Sequence, residues 1–277
     1  MSEPGIATGW TDALKVKPVA MLGFGIALAY PVLFMVLEKL IGPPYTEIGT
    51  TAISVLRGIV IPLAICTVVT ASLATVLGWW GPVLHEKPLG VKWMWAIPVV
   101  LAAIVLAGID WAQISALSGS YLLLLAIGTL LVGFNEEIVY RGLSLVAFRG
   151  AFNEVYVWLA TALLFGLLHG ANVFLGQALA PTLRQIVLAF VLGSVFYVVR
   201  RVTGSLAALM IFHALWDFGS FTWAGALIAT KIGPVAVAQS TVLAGLLVGA
   251  RLPLQIALVI MCLIGAKKLF STPVENG

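Results

Sequence analysis

Two carboxylates and a guanidinium crowd into the stretch Asn135-Glu136-Glu137-Ile138-Val139-Tyr140-Arg141-Gly142, inside a run that is otherwise apolar from Tyr121 to Phe148. On the mildest scale each charge at the centre of a bilayer costs roughly 2.5–3.5 kcal/mol. Such groups persist in a membrane helix only where they face a protein interior or a wet cavity and find partners there. Two further apolar runs carry ionisable groups: His169 in Phe165-Gly166-Leu167-Leu168-His169, and His213 with Asp217 one helical turn beyond it. At about 1.5 Å per residue, Glu136 lies roughly 20 Å from the Arg149 end of its run, His169 roughly 20 Å from Tyr156, and His213 roughly 14–18 Å from Arg201–Gly204. Three separate helices therefore deliver polar groups to one level of the bilayer.

Spacing divides the labour. Glu137 and Arg141 are i,i+4, in the order that favours an ion pair on a helix, so Arg141 neutralises Glu137 as a strut. Glu136 is rotated about 100° away and is free to point at His169. A carboxylate and an imidazole meeting in a low-dielectric cavity can hold and deprotonate a water. His213 and Asp217 would face the other side of that water and stabilise a developing oxyanion; Asp217 must be protonated to donate. Taken singly, each piece has a plainer reading: a packing ion pair, an interhelical hydrogen bond, a proton relay. Their coincidence in depth favours chemistry.

The elements that must position these groups follow from composition. Of 277 residues 61% are hydrophobic and 9% charged, against about a quarter charged in soluble domains. The fold class expected is all-α, a polytopic transmembrane bundle of about eight spans. They are placed at Val19–Leu37 (with a kink at Pro31), Arg57–Trp80, Trp93–Ile109, Tyr121–Phe148, Tyr156–Phe174, Leu183–Val199, Ser205–Trp223 and Leu252–Leu269, each near the 17–25 residues that cross a bilayer. Val235–Gly249 reads as a re-entrant or additional helix, and Glu38–Thr50, with Gly42-Pro43-Pro44, as a loop. Residues 1–18 read as a cytoplasmic segment without a removable signal peptide, 19–270 as one catalytic bundle, and 271–277 as a cytoplasmic tail. Cys66 and Cys262 lie in apolar runs without CxxC spacing, which argues against a disulfide framework or thiolate zinc. Nothing resembles a nucleic-acid patch.

With eight spans both termini share a side. Lys15, Lys17, Lys87, Lys92, Arg149, Arg200, Arg201, Lys267 and Lys268 fall on that side, against Lys39, Arg184 and Lys231 on the other. The positive-inside rule then makes it cytoplasmic. The localisation expected is the plasma membrane of a bacterium or archaeon.

In order and spacing, Glu136-Glu137-xxx-Arg141, Phe165-xxx-His169 and His213-xxx-Asp217 resemble the three signature motifs of the CPBP family (CAAX proteases and bacteriocin-processing enzymes), intramembrane proteases that include the type II CAAX prenyl endopeptidases. The resemblance implies an eight-helix bundle in which Glu136 and His169 activate the attacking water, Glu137, Arg141 and Phe165 support them, and His213 stabilises the oxyanion. Asp217 stands where prenyl-processing members usually have asparagine, which bears on its role and on the substrate class. No cofactor is expected. Were zinc used, Glu136, His169 and His213 would be its ligands, although there is no HExxH motif. The partners implied are the lipid bilayer and a membrane-embedded or lipidated peptide or protein substrate. Two other readings stand beside the protease: a proton-coupled transporter, against which neither an internal repeat nor a continuous polar path is found, and a non-catalytic bacteriocin-immunity or scaffold protein.

Overall fold

The computed structural model describes residues 14–232 and 242–274, with the side chains of all of these except 112, 223–232 and 242–251. Among them every long element is a helix: α1 (Ala20–Ile41), α2 (Ala52–Leu77), α3 (Lys92–Ala107), α4 (Gly119–Arg149), α5 (Glu154–Leu175), α6 (Leu179–Thr203), α7 (Leu206–Ile232) and α8 (Val242–Ser271). Six are long and apolar enough to cross a membrane, and two more, α3 and the Leu206–Thr222 part of α7, are shorter apolar helices. The chain is an integral, multi-pass membrane protein.

Ends differ from the sequence reading where local chemistry intervenes. Helix α1 continues through Pro31 and past Leu37 to Ile41, so Glu38 is helical and buried rather than the start of a loop. Helix α2 begins at Ala52, not Arg57, because Thr51 and Ser54 form a reciprocal capping box. It ends at Leu77, where Gly78 takes the left-handed cap that stops the helix short of Trp80. Part of Val235–Gly249 lies outside the described residues. From Val242 onward it is continuous with the expected Leu252–Leu269 span in a single helix running through Pro253.

Helix α4 is the hub. It packs most extensively on α7, and α1 and α2 also lie against it, while α5 pairs with α6 and α3 with α8. Its rotation is fixed by polar pins. Buried Asn135 has its Nδ2 within hydrogen-bond distance of Leu63 O (3.1 Å), Thr67 Oγ1 (2.8 Å) and Leu131 O (2.8 Å), and its Oδ1 accepts from Thr70. On the α1 side Tyr140 donates to Ala27 O and Ser144 to Gly23 O. Such bonds average only about 0.6 kcal/mol inside membranes; they set register more than stability. Gly133 sits against the Met210 carbonyl, where a Cβ would not fit, and this close approach brings the next turn of α4 against His213.

One end of the bundle is tied by charge. Loop residue Glu86, 3% exposed, accepts from Arg149 (2.8 Å), Arg200 (2.8 Å) and Arg201 (3.1 Å). Arg149 also pairs with Glu154, Arg200 donates to the Pro82 and Val83 carbonyls, and Arg201 donates to Thr272 O. The loop docks on the turn after α6 through Glu86 N to Gly204 O and Leu89 N to Arg201 O. Burial alone would push the Glu86 carboxyl up, but the three guanidinium groups together outweigh it and hold it well below the usual carboxylate range. Nothing in the local sequence around Glu86 announces this cluster, because its arginines come from α4 and α6.

Candidate active site

The residues singled out by depth and spacing come together. Glu136 from α4, Phe165 and His169 from α5, and His213 and Asp217 from α7 line one cavity of about 760 Å³. Just beyond Glu137 the backbone of α4 widens into a π turn, Ile138–Leu143, which carries Arg141; such bulges recur at functional sites. Helix α5 tightens into a 3₁₀ turn at His169–Ala171.

Glu137 is the fixed point. Its Oε1 accepts from Arg141 Nη1 at 3.1 Å and from His213 Nδ1 at 2.8 Å, and all three side chains are buried. The strut expected between Glu137 and Arg141 is therefore present, and it orients His213 as well. The Arg141 guanidinium lies 3.8 Å from the Phe165 ring centroid and 5.6 Å from that of Phe196. Both imidazoles meet Phe165 nearly perpendicular, His169 at 5.5 Å and His213 at 5.7 Å between centroids. Phe165 thus braces both histidines and the arginine.

With Nδ1 committed to Glu137, His213 turns Nε2 toward Glu136 Oε2 at 3.7 Å and Asp217 Oδ2 at 3.6 Å. Both separations are longer than hydrogen bonds. Glu136 thus makes its close approach to His213, whereas spacing alone had aimed it at His169. Its Oε2 is buried with no hydrogen-bond partner among the described residues. His169 Nδ1 lies 3.1 Å from the Phe165 carbonyl; donation there leaves Nε2 with a free lone pair. The sequence reading missed Tyr30 and Trp216, which share the cavity wall, and the clamping role of Asn135. No motif signal marks the first two, because their place in the wall is set by tertiary packing alone. Asn135, adjoining the two glutamates in an apolar run, was visible as a buried amide that needed partners. Among the described residues no three His, Cys, Asp or Glu side chains are arranged to hold one ion.

A polytopic helical membrane protein with carboxylates and imidazoles gathered at a buried cavity is the class that fold and site define. The family comparison narrows it: residues 118–219 match the model described as type II CAAX prenyl endopeptidase Rce1-like. The chain carries a domain of this CAAX protease family, running from the start of α4 to just beyond Asp217 in α7. No curated protein and no solved structure matches the chain.

Proposed function

We propose that this chain is an intramembrane endopeptidase that hydrolyses a peptide bond in a membrane-associated substrate, of the lipidated CAAX type. The observation that carries this reading is the buried, unpartnered Glu136 Oε2 facing a cavity it shares with His169, His213 and Asp217. In this mechanism Glu136 and His169 Nε2 hold a water, and the Glu136 carboxylate takes its proton as the oxygen attacks the scissile carbonyl carbon. His213, oriented by Glu137, donates from Nε2–H to the oxyanion, with Asp217 beside it. Collapse breaks the C–N bond, and the proton on Glu136 passes to the departing amine. A second, apolar groove of about 430 Å³ between α1 and α5 shares Pro31, Leu168 and Ala171 with the site cavity. It offers the substrate's lipid a surface continuous with the site.

The test is cleavage of a farnesylated CAAX-type peptide by the purified protein, read by mass spectrometry. Glu136→Gln and His169→Ala should each lose about 10²–10⁴-fold, the usual worth of a general base, while still folding and inserting. Comparing the membrane proteomes of wild-type and Glu136→Gln cells for unprocessed termini would then identify natural substrates. Full activity in either variant overturns the reading.

A further inference from the structure

We propose that Tyr30 of α1 is a further catalytic residue, whose hydroxyl donates a hydrogen bond to the oxygen of the tetrahedral intermediate beside the one from His213. The inference rests on the endopeptidase reading above and adds a donor from a helix outside the matched segment 118–219.

Register puts Tyr30 at the level of the acidic groups. Ser144 of α4 donates to Gly23 O of α1, and Tyr140 donates to Ala27 O. The two helices are therefore antiparallel, with four residues back along α4 answering four forward along α1. One further step of the same length brings Glu136 level with Tyr30 and Pro31. Tyr30 accordingly lines the same cavity as Glu136, His213 and Asp217, and its phenol is within electrostatic reach of both carboxyl groups.

Two tyrosines meet here edge-on, with 6.4 Å between ring centroids, and they differ in what their hydroxyls do. Pro31 has no N–H, so Ala27 O, four residues earlier in α1, lacks its helical donor. The Tyr140 hydroxyl supplies one at 3.0 Å and is spent there. Tyr30 is 5% exposed, and its hydroxyl makes no hydrogen bond among the described residues. Glu136 Oε2, although close in register, is likewise unpartnered, so the phenol is not committed to it. A buried phenol ordinarily has a partner; one left open on this cavity is placed for a group that arrives with the substrate. In the mechanism above His213 supplies one donor to the oxyanion, and Asp217 as a carboxylate accepts without donating. As water adds to the carbonyl carbon, the π pair of the C=O bond moves onto oxygen. The Tyr30 hydroxyl meets that charge with a hydrogen bond and keeps its own proton, and the bond is stronger in the transition state than in the ground state.

Tyr30→Phe keeps the ring and its contact with Tyr140 and deletes one oxygen. Against the farnesylated CAAX-type peptide kcat should fall about 10²–10³-fold, the worth of one oxyanion donor, with KM within about twofold of wild type. Binding is measured in parallel on the full-length protein in nanodiscs with two uncleavable peptides. One carries a phosphinate in place of the scissile amide; the other carries a trans-alkene, which has no oxygen for a donor to meet. The variant should weaken phosphinate binding by roughly 10- to 150-fold, the range of a hydrogen bond to a charged group, and leave alkene binding unchanged. Undiminished phosphinate affinity overturns the assignment, and so does undiminished kcat. An equal loss for both peptides, or a fall in melting temperature beyond about 2 °C, makes the hydroxyl a packing group and overturns it as well. So does a wild-type protein that binds the phosphinate no better than the alkene. Selective loss of phosphinate binding in a protein that does not cleave would leave the donor standing and remove the protease reading; cleavage untouched by Tyr30→Phe would do the reverse.

Discussion

Replacing Arg141 with methionine removes a fully buried guanidinium and leaves Glu137, also fully buried, with His213 as its remaining partner. Methionine keeps most of the volume and retains a sulfur contact with Phe165, so the lost charge dominates. Breaking a buried ion pair from one side costs about 3–5 kcal/mol. At about 2–4 °C per kcal/mol for chains approaching this size, the melting temperature of Arg141→Met should fall by roughly 6–20 °C. Thermal unfolding in detergent, followed by tryptophan fluorescence, measures it. The double variant Arg141→Met/Glu137→Gln removes the orphaned charge and should recover at least half of the loss, so the two substitutions are strongly non-additive. A single-variant shift below about 2 °C, or a double variant equal to the sum of the singles, would refute the account of Glu137 as a carboxylate held by Arg141.

Three further outcomes follow from other parts of the bundle. Glu86→Gln should cost about 3–5 kcal/mol at neutral pH, because three buried arginines lose their shared carboxylate; chemical or thermal unfolding reads it. The folded Glu86 carboxyl is held low, so its contribution is complete above the unfolded value near 4.3 and is lost as pH falls from there toward the folded value. Wild-type stability should therefore drop along that acid limb, and Glu86→Gln should flatten the drop. Gly204→Ala should destabilise the fold by more than about 1 kcal/mol, read by thermal unfolding, since φ is +69° there and a Cβ would run into the Glu86 carbonyl. Asp217→Leu should reduce peptide cleavage by about 10²-fold or more, whereas Asp217→Asn, which keeps a polar partner near His213 Nε2, should retain most of it.

The spans were legible because hydrocarbon enforces long apolar runs, and Glu136, Glu137, Arg141, His169, His213 and Asp217 stood out because charge is expensive there. What stayed hidden depends on neighbours distant in sequence. Nothing in Ile138–Leu143 announces a π turn, and that turn changes where Arg141 points relative to the glutamates. Glu38 reads as a loop residue until Gly42 and Gly58 are seen closing around its carboxylate. Nothing near Glu86 in the sequence points to Arg149, Arg200 and Arg201, which arrive from two other helices. Spacing on α4 showed that Glu136 and Glu137 face different ways. It could not show that His213, 76 positions further along, would sit between them, since that follows from the close approach of α4 and α7 at Gly133.

The knot around Glu86 has a mechanical corollary. It fastens the Arg149 and Arg200 ends of two helices and the segment following α8 into one block, whereas the opposite ends of α5 and α6 meet at the turn 176–178, beside the cavity residues Asn172 and Gln177. Amide exchange should accordingly be slowest near Arg200 and quicken toward Leu179.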